Sequence, residues 1–215
     1  MYSYIVKIIL NYLIKTKEFS NNLLSPNENL YGFLASKMMN FSNKKTSIHA
    51  INYLNIKRDS NILEVGPGNG WALSELIKKS PKRLIAIEIS KRFIKEIKKL
   101  RFSEKIEIYE IDLIDTSNFI QDETIDYIIA INVIYFLNPL DNYLNEIYRI
   151  LNKNGKAFFV CKEVPMKRGN KKIFINNNLE NIINSIKNNG FKINIEKIFF
   201  KDKISNYIAI VIKKK

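Results

Sequence analysis

The sequence is poor in cysteine and histidine, with one residue of each among 215. The single cysteine, Cys161, excludes a disulfide framework and a cysteine-rich metal site. The single histidine, His49, argues against a histidine-based metal site and against a Ser/His/Asp triad. We therefore expect no metal centre, and we expect any chemistry to come from a bound cofactor.

The sequence also lacks a long apolar run. Residues 4–14 place apolar side chains at helical spacing, but the run is too short and too interrupted to span a membrane. We expect this helix to pack on the domain or close over a pocket, with contact to a membrane surface as the alternative. No small-residue cleavage site follows it, and we expect a cytoplasmic protein.

Positive charge is in excess, with 35 lysines and arginines against 21 acids and a net charge of +14. Such a charge suggests nucleic acid or an anionic membrane as a partner. However, lysine, asparagine and isoleucine are all abundant, as A/T-rich codons would supply, and the lysines are spread along the chain. We therefore favour a solvated basic surface, and we keep nucleic acid as the alternative partner.

Glycine is scarce, but three of the seven glycines fall within five residues, at Gly66, Gly68 and Gly70. They follow a short apolar strand and precede an amphipathic helix that begins near Trp71. Glycines in a strand-to-helix turn let the main chain approach a ligand and direct N–H groups at it. The turn is therefore predicted to bind a ligand.

Beyond residue 60, apolar strands alternate with amphipathic helices. Strands are predicted at 61–65, 84–89, 106–111, 125–133, 156–161, 192–200 and 206–212. Helices are predicted at 30–40, 46–54, 72–79, 91–101, 140–151 and 179–189, whereas 19–29 are predicted to be a loop and 163–178 have no clear period. The alternation predicts a doubly wound, mostly parallel α/β sheet, with helices in residues 1–56 covering the active site of a core at 57–215.

Three acidic residues occur at predicted strand ends, where ligands of such sheets bind: Glu64, Glu88 and Asp112. Glu88 follows Gly70 by 18 residues, a distance suited to hydrogen bonding with vicinal ribose hydroxyls. This spacing leaves NAD and other adenosine cofactors open. Trp71 stands where the NAD fingerprint G-x-G-x-x-G has its third glycine, which counts against a pyrophosphate.

Residues 30–213 resemble the class I S-adenosylmethionine-dependent methyltransferases, close to their type-11 small-molecule branch. The matching pieces are Ile62-Leu63-Glu64-Val65-Gly66-Pro67-Gly68-Asn69-Gly70, Ile87-Glu88, Ile111-Asp112, Ile125-Asp126-Tyr127-Ile128-Ile129 and a helix with Glu146, Arg149, Ile150, Leu151 and Gly155. The resemblance implies a seven-stranded sheet whose last strand runs antiparallel, and S-adenosylmethionine as the cofactor.

The resemblance also implies contacts to that cofactor. Gly66, Gly68 and Gly70 would lie near its methionine part, Glu64 near its amino group, Glu88 and Ile89 at the ribose, Asp112 and Leu113 at the adenine, and Asn132 under the sulfonium.

The sulfonium methyl group is already activated, so the reaction mainly needs alignment and has no obligatory base. Tyr135, Tyr31 and His49 are the candidates if a base is required, although we expect each to shape the pocket.

The stretch Asn132-Val133-Ile134-Tyr135 lacks the Asn/Asp-Pro-Pro-aromatic motif of enzymes that methylate exocyclic amines. We therefore favour a small, partly apolar acceptor entering beneath the N-terminal helices. The alternatives are an RNA or protein methyltransferase that uses the basic residues 167–172, and a non-catalytic cofactor-binding module that acts through a partner.

Overall fold

A computed structural model describes residues 12–27, 30–201, 203 and 205–215. The helix predicted at 4–14 therefore lies mostly outside the described residues, as does the membrane contact proposed for it. Among the described helices, none combines the length and apolar character that crossing a membrane requires.

Seven strands form one sheet in the order β3-β2-β1-β4-β5-β7-β6. Their bounds are β1 Asn61–Val65, β2 Arg83–Ile87, β3 Glu107–Tyr109, β4 Ile125–Ile131, β5 Leu151–Cys161, β6 Phe191–Ile198 and β7 Tyr207–Lys214. Strand β7 runs antiparallel to both β5 and β6, whereas β1 to β5 pair in parallel. This sheet confirms the predicted α/β fold with its antiparallel last strand.

Helices cover both faces of the sheet. They are α1 Lys17–Leu24, α2 Leu30–Tyr53, α3 Trp71–Leu76, α4 Lys91–Lys98, α5 Leu140–Ile150, α6 Glu163–Arg168 and α7 Leu179–Asn188. Two apolar clusters result, one on each side of the sheet, and Cys161 is a buried free thiol in the first. The strand order reverses between β1 and β4, which is where ligands of doubly wound sheets bind.

The loop predicted at 19–29 is wrong, because α1 occupies Lys17–Leu24. The Thr16 hydroxyl caps this helix by accepting a hydrogen bond from the Phe19 N–H group at 3.3 Å. Asn22 is buried and donates to the Glu18 carbonyl at 2.9 Å. The polar composition that suggested a loop instead supplies capping and internal hydrogen bonds.

The two helices predicted at 30–40 and 46–54 are a single helix, α2. The polar residues between them suggest a break in the sequence, but the structure places two of these lysines over aromatic rings of neighbouring elements. Lys44 lies over the Trp71 ring at 4.3 Å, and Lys45 lies over the Phe200 ring at 4.9 Å. The Thr46 hydroxyl donates to the Ser205 carbonyl at 3.1 Å. Tertiary contacts therefore explain the polar residues.

Other predicted boundaries shift by a few residues. Strands β2 and β4 each end two residues earlier than predicted, where the chain turns into the site described below. Helix α5 ends at Ile150, because Leu151 already pairs with Ile125 in the sheet, so β5 begins five residues before its predicted start. The segment at 163–178 contains the short helix α6, in which Lys167 donates to Glu163 at 2.8 Å.

Candidate active site

The three glycines of the turn have positive φ angles of 61°, 58° and 79° at Gly66, Gly68 and Gly70. A Cβ atom on Gly66 would lie 2.8 Å from Val133, and one on Gly70 would lie 2.7 Å from Leu100. At Gly68 the nearest heavy atom would be 3.9 Å away. The outer two glycines therefore allow close packing, whereas a Cβ atom on Gly68 would reach only ordinary van der Waals contact with Phe93 and Met39.

Gly68 lines a cavity of about 510 Å³ beyond the carboxyl ends of the parallel strands. The volume falls within the range of small-molecule sites, roughly 300–1,000 Å³. All the predicted cofactor-binding residues except Gly70 line the cavity. Gly70 instead occupies the N-cap position of α3, where its left-handed conformation starts the helix.

Glu88 links the end of β2 to the glycine turn. One of its carboxylate oxygens accepts a hydrogen bond from the Gly68 N–H group at 3.1 Å, and the other accepts from Ser90 at 2.8 Å. The side chain is 3% exposed, and burial raises its pKa to about 7 although these N–H groups oppose the shift. The acid and the turn are thus held side by side, as the sequence predicted.

Glu64 is buried more completely, at 2% exposed, and its Oε2 atom has no hydrogen-bond partner among the described residues. Burial, with a smaller contribution from the charge of Glu88, raises the pKa of Glu64 to about 8. The amide nitrogen of Asn69 is also buried without a partner. Both residues line the cavity, so a polar or cationic ligand there would supply what these atoms lack.

Asp112 lies at the third strand end and accepts a hydrogen bond from the Tyr143 hydroxyl at 2.9 Å. Tyr143 lines the cavity from α5, and its pKa is raised by burial and by the adjacent carboxylate. Sequence reasoning assigned Tyr143 only to the buried stripe of its helix. The helical spacing of apolar residues indicates which face of a helix is buried. It does not indicate that the hydroxyl at the end of the Tyr143 ring bonds to Asp112.

Asn132 follows β4 with a positive φ of 59°, an uncommon conformation outside glycine. Its amide donates to Asn43 at 3.1 Å and accepts from the Tyr135 hydroxyl at 3.0 Å. Tyr135 is fully buried, its hydroxyl also contacts the main chain of Lys162, and burial keeps its pKa well above the ordinary value. Tyr135 therefore holds the wall of the cavity together and stays protonated.

Tyr31 and His49, the other two candidate bases, are not brought to the cavity. Tyr31 is 44% exposed on α2. His49 is exposed, and its Nδ1 atom lies 2.9 Å from the Tyr207 hydroxyl. Neither residue lines the cavity. Sequence reasoning instead missed lining residues from the predicted loop, namely Phe19, Leu23 and Leu24.

The profile of the Methyltransferase domain family, type 11, matches residues 63–159. The matched residues include the glycine turn, Glu88, Asp112 and Asn132, the same groups that the fold assembles around the cavity. The family profile and the fold together indicate a class I S-adenosylmethionine-dependent methyltransferase.

Relatives of this methyltransferase differ in what they act on. Over 130 residues the chain is 34% identical to the ribosomal RNA small subunit methyltransferase A of Mycoplasmopsis synoviae, a match covering 60% of the chain. The chain spans about half the length of this curated relative, 48%.

Solved structures share the fold at low sequence identity. A chain of the Haloferax volcanii complex between the Trm112 methyltransferase activator and a methyltransferase has a TM-score of 0.69 and 14% identity, covering 83% of this chain and 93% of that one. The phosphoethanolamine N-methyltransferase 2 of Haemonchus contortus, bound to phosphomonomethylethanolamine and S-adenosylhomocysteine, has a TM-score of 0.67 and 13% identity, covering 94% and 61%.

The matched family and the similar structures support S-adenosylmethionine as the cofactor. The residues present fit this group on two observations. The carboxylate oxygen of Glu64 that has no partner among the described residues offers a buried acceptor for positive charge, and Gly68 lines the cavity without a Cβ atom, so that a ligand can approach its main chain. Its sulfonium and amino groups are cationic, and Glu64, Glu88 and Asp112 line the same cavity.

Proposed function

We propose that the chain transfers the methyl group of S-adenosylmethionine to a small, partly apolar molecule. The observation that carries the proposal is a cavity of about 510 Å³ that joins the three strand-end acids to an apolar chamber. The bound cofactor supplies a methyl group that is activated by a positively charged sulfur. The chain's own task is to hold the two reactants in line and to exclude water.

Each strand-end residue receives a role in this proposal. Glu88, with Ile89, would accept hydrogen bonds from the ribose hydroxyls, and Asp112 with Leu113 would contact the adenine. Glu64 would pair with the amino group, because its Oε2 atom is a buried acceptor in the cavity wall without a partner among the described residues. Gly66 and Gly68 would lie against the methionine part, and Asn132 would lie beneath the sulfonium.

The acceptor would occupy the other end of the cavity, under the N-terminal helices. Its walls there are apolar, with Phe19 and Leu23 from α1 and with Phe136 and Phe174 from the opposite side. The placement of α1 supports a division into helices at 1–56 that cover the site and a cofactor-binding core at 57–215. This division remains part of the proposal, as does the expected cytoplasmic location.

No side chain needs to act as a base in this scheme. Orientation of two bound reactants supplies on the order of 7–11 kcal/mol of the barrier. Tyr135 does not serve as a base near neutral pH, since its pKa lies well above the ordinary value and its hydroxyl is bonded to Asn132. Alignment in a dry cavity is therefore the proposed source of catalysis.

The test is transfer of a radiolabelled methyl group from S-adenosylmethionine to fractions of a metabolite extract. We expect label in a low-molecular-weight fraction of intermediate polarity, and loss of that label in Gly68→Ala. Gly190→Ala, a glycine with positive φ far from the cavity, is the control and should retain transfer. Cofactor binding without transfer to any fraction would favour the non-catalytic module instead.

The second candidate is an RNA methyltransferase, favoured by the 34% identity to the ribosomal RNA enzyme of Mycoplasmopsis synoviae. Unmodified ribosomal RNA and small ribosomal subunits should be offered with the labelled cofactor. Label in RNA, together with binding that falls steeply as salt rises, would establish this candidate over the first. Label confined to the low-molecular-weight fraction would exclude it.

A further inference from the structure

The cavity carries opposite charges at its two ends. Glu64, Glu88 and Asp112 line it beside the glycine turn, where the cationic cofactor is proposed to bind. At the other end the lining residues with charge are Lys162, Lys197 and Lys203 and one acid, Glu163. The cavity is thus acidic at the end where the cofactor is proposed to bind and basic at the end where the methyl acceptor would enter.

Glu163 does not neutralise this basic end. Its two carboxylate oxygens bind Lys167 and Lys197, both at 2.8 Å. These lysines lower the pKa of Glu163 to about 2, so the carboxylate stays charged and already paired. Lys203 is exposed and has no hydrogen-bond or ion-pair partner for its ammonium group within the described part of the chain. The ammonium group of Lys203 therefore stays available to a ligand.

Lys203 is held at the mouth by a loop that is anchored to α2. The loop, residues 199–206, receives the hydrogen bond from Thr46 at Ser205 and the edge-on packing of His49 against Phe200 at 5.1 Å. The Phe200 N–H group donates to the Asn206 side chain at 2.6 Å. Lys203 itself has a positive φ of 58°, an uncommon conformation for a lysine, often found at functional positions.

The same mouth is apolar around its lysines. Phe199 is 74% exposed and Val164 is 47% exposed, and both line the cavity. Further in, the aromatic rings of Phe136 and Phe174 contact each other with centroids 4.9 Å apart. An entering molecule would therefore meet cations at the mouth and hydrocarbon within.

We propose that the acceptor is an apolar molecule that carries an acidic group, a carboxylate or a phosphate, and that Lys203 binds this group at the mouth of the cavity. The inference rests on the proposed methyl transfer to a small molecule, and it narrows the acceptor to one charge class.

The test uses four probes with the same eight-carbon chain: octanoate, octyl phosphate, octanol and octylamine. Binding is read from the fluorescence of Trp71, the single tryptophan, which lines the cavity. Each probe is titrated with and without S-adenosylhomocysteine. With S-adenosylhomocysteine at the acidic end, we expect at least one of the two acids to bind about five-fold more tightly than octanol, the upper range for a partly exposed ion pair, and octylamine to bind most weakly.

The matched variants are Lys203→Gln and Lys82→Gln, which lose the same charge at opposite ends of the strands. Lys203 follows β6, whereas Lys82 precedes β2. Lys203→Gln should lose the preference for acids and keep the affinity for octanol, whereas Lys82→Gln should behave as wild type. An equal affinity for acids and octanol in the wild type, or the same loss in both variants, would overturn the inference. The affinity for S-adenosylhomocysteine is measured in a separate titration. If S-adenosylhomocysteine does not bind, the proposed function fails. The preference among the four probes is measured whether or not S-adenosylhomocysteine binds, so the two failures can be told apart.

Discussion

A carboxyl oxygen without a hydrogen-bond partner is costly to bury, and Glu64 carries one in the wall of the cavity. Its pKa is raised to about 8 in the folded chain from an ordinary value near 4.5. The folded state therefore holds this proton more tightly than the unfolded chain does. The contribution of Glu64 to the free energy of unfolding is therefore constant below about pH 4.5, and it falls as the pH rises toward 8.

Replacing Glu64 with glutamine should remove this dependence. We expect Glu64→Gln to be more stable than wild type at pH 8, by on the order of 3 kcal/mol, and nearly equal to it at pH 4.5. Urea denaturation at several pH values, without ligand, measures the difference. If the stability of Glu64→Gln depends on pH in the same way as that of the wild type, Glu64 is not the group responsible for the pH dependence.

Gly68 offers a second prediction at the scale of one residue. An alanine at this position would strain the backbone at φ 58° but meet no atom nearer than 3.9 Å. Gly68→Ala should lower the free energy of unfolding by about 1–2 kcal/mol and weaken cofactor binding further, because the new methyl group enters the cavity. Gly190→Ala has φ 83° and a similar backbone strain, and its Cβ atom would also lie 3.2 Å from Tyr148. It should lose at least as much stability, measured by urea denaturation, with unchanged binding in calorimetry.

Helix α1 is the element on which the acceptor end of the cavity depends. Its cap is the Thr16 hydroxyl, and Thr16→Ala should cost about 1 kcal/mol of local stability. We expect faster amide hydrogen exchange in residues 17–24 and unchanged exchange in β1 and β4. Asn178→Ala, which removes the cap of α7, is the control, with faster exchange near 179–182 only. Exchange in 17–24 that does not respond to Thr16→Ala would contradict the role of the cap.

The sheet could be predicted from the sequence because its strands are almost continuously apolar and its turn glycines are concentrated. The strand-end acids followed from the same pattern, since parallel strands place their carboxyl ends at one edge. Helix α1 and the middle of α2 could not be predicted, because their polar residues make specific contacts with other elements. Asn22 bonds within its own helix, and Thr46 bonds to Ser205, 159 positions away.

The site was predictable only as far as its residues follow strand ends. Tyr143 reaches Asp112 from a helix, and Lys203 reaches the mouth from a loop between two late strands, so neither has a local signature. The exclusion of Tyr31 and His49 from the cavity is likewise a tertiary result. Both lie on α2, but the residues of this helix that line the cavity are Met39, Asn43 and Ser47.

At the scale of the whole molecule, the net charge of +14 is distributed unevenly around the cavity. Acids line the end beside the glycine turn, and lysines line the mouth on the far side of the sheet's switch point. A cationic cofactor and an acidic acceptor would each meet complementary charge there. Both the proposed methyl transfer and the proposed acidic acceptor therefore require that S-adenosylmethionine binds at the acidic end of the cavity.

The most direct measurement is a calorimetric titration of S-adenosylhomocysteine and of NAD into the wild type, Glu88→Gln and Glu104→Gln. Glu88→Gln keeps the side-chain shape but loses the charge, while Glu104 is an exposed acid away from the cavity. We predict binding of S-adenosylhomocysteine but not NAD, at least ten-fold weaker binding in Glu88→Gln, and no change in Glu104→Gln; a ten-fold loss corresponds to about 1.4 kcal/mol. Binding of NAD alone, or equal affinity in wild type and Glu88→Gln, would contradict the account.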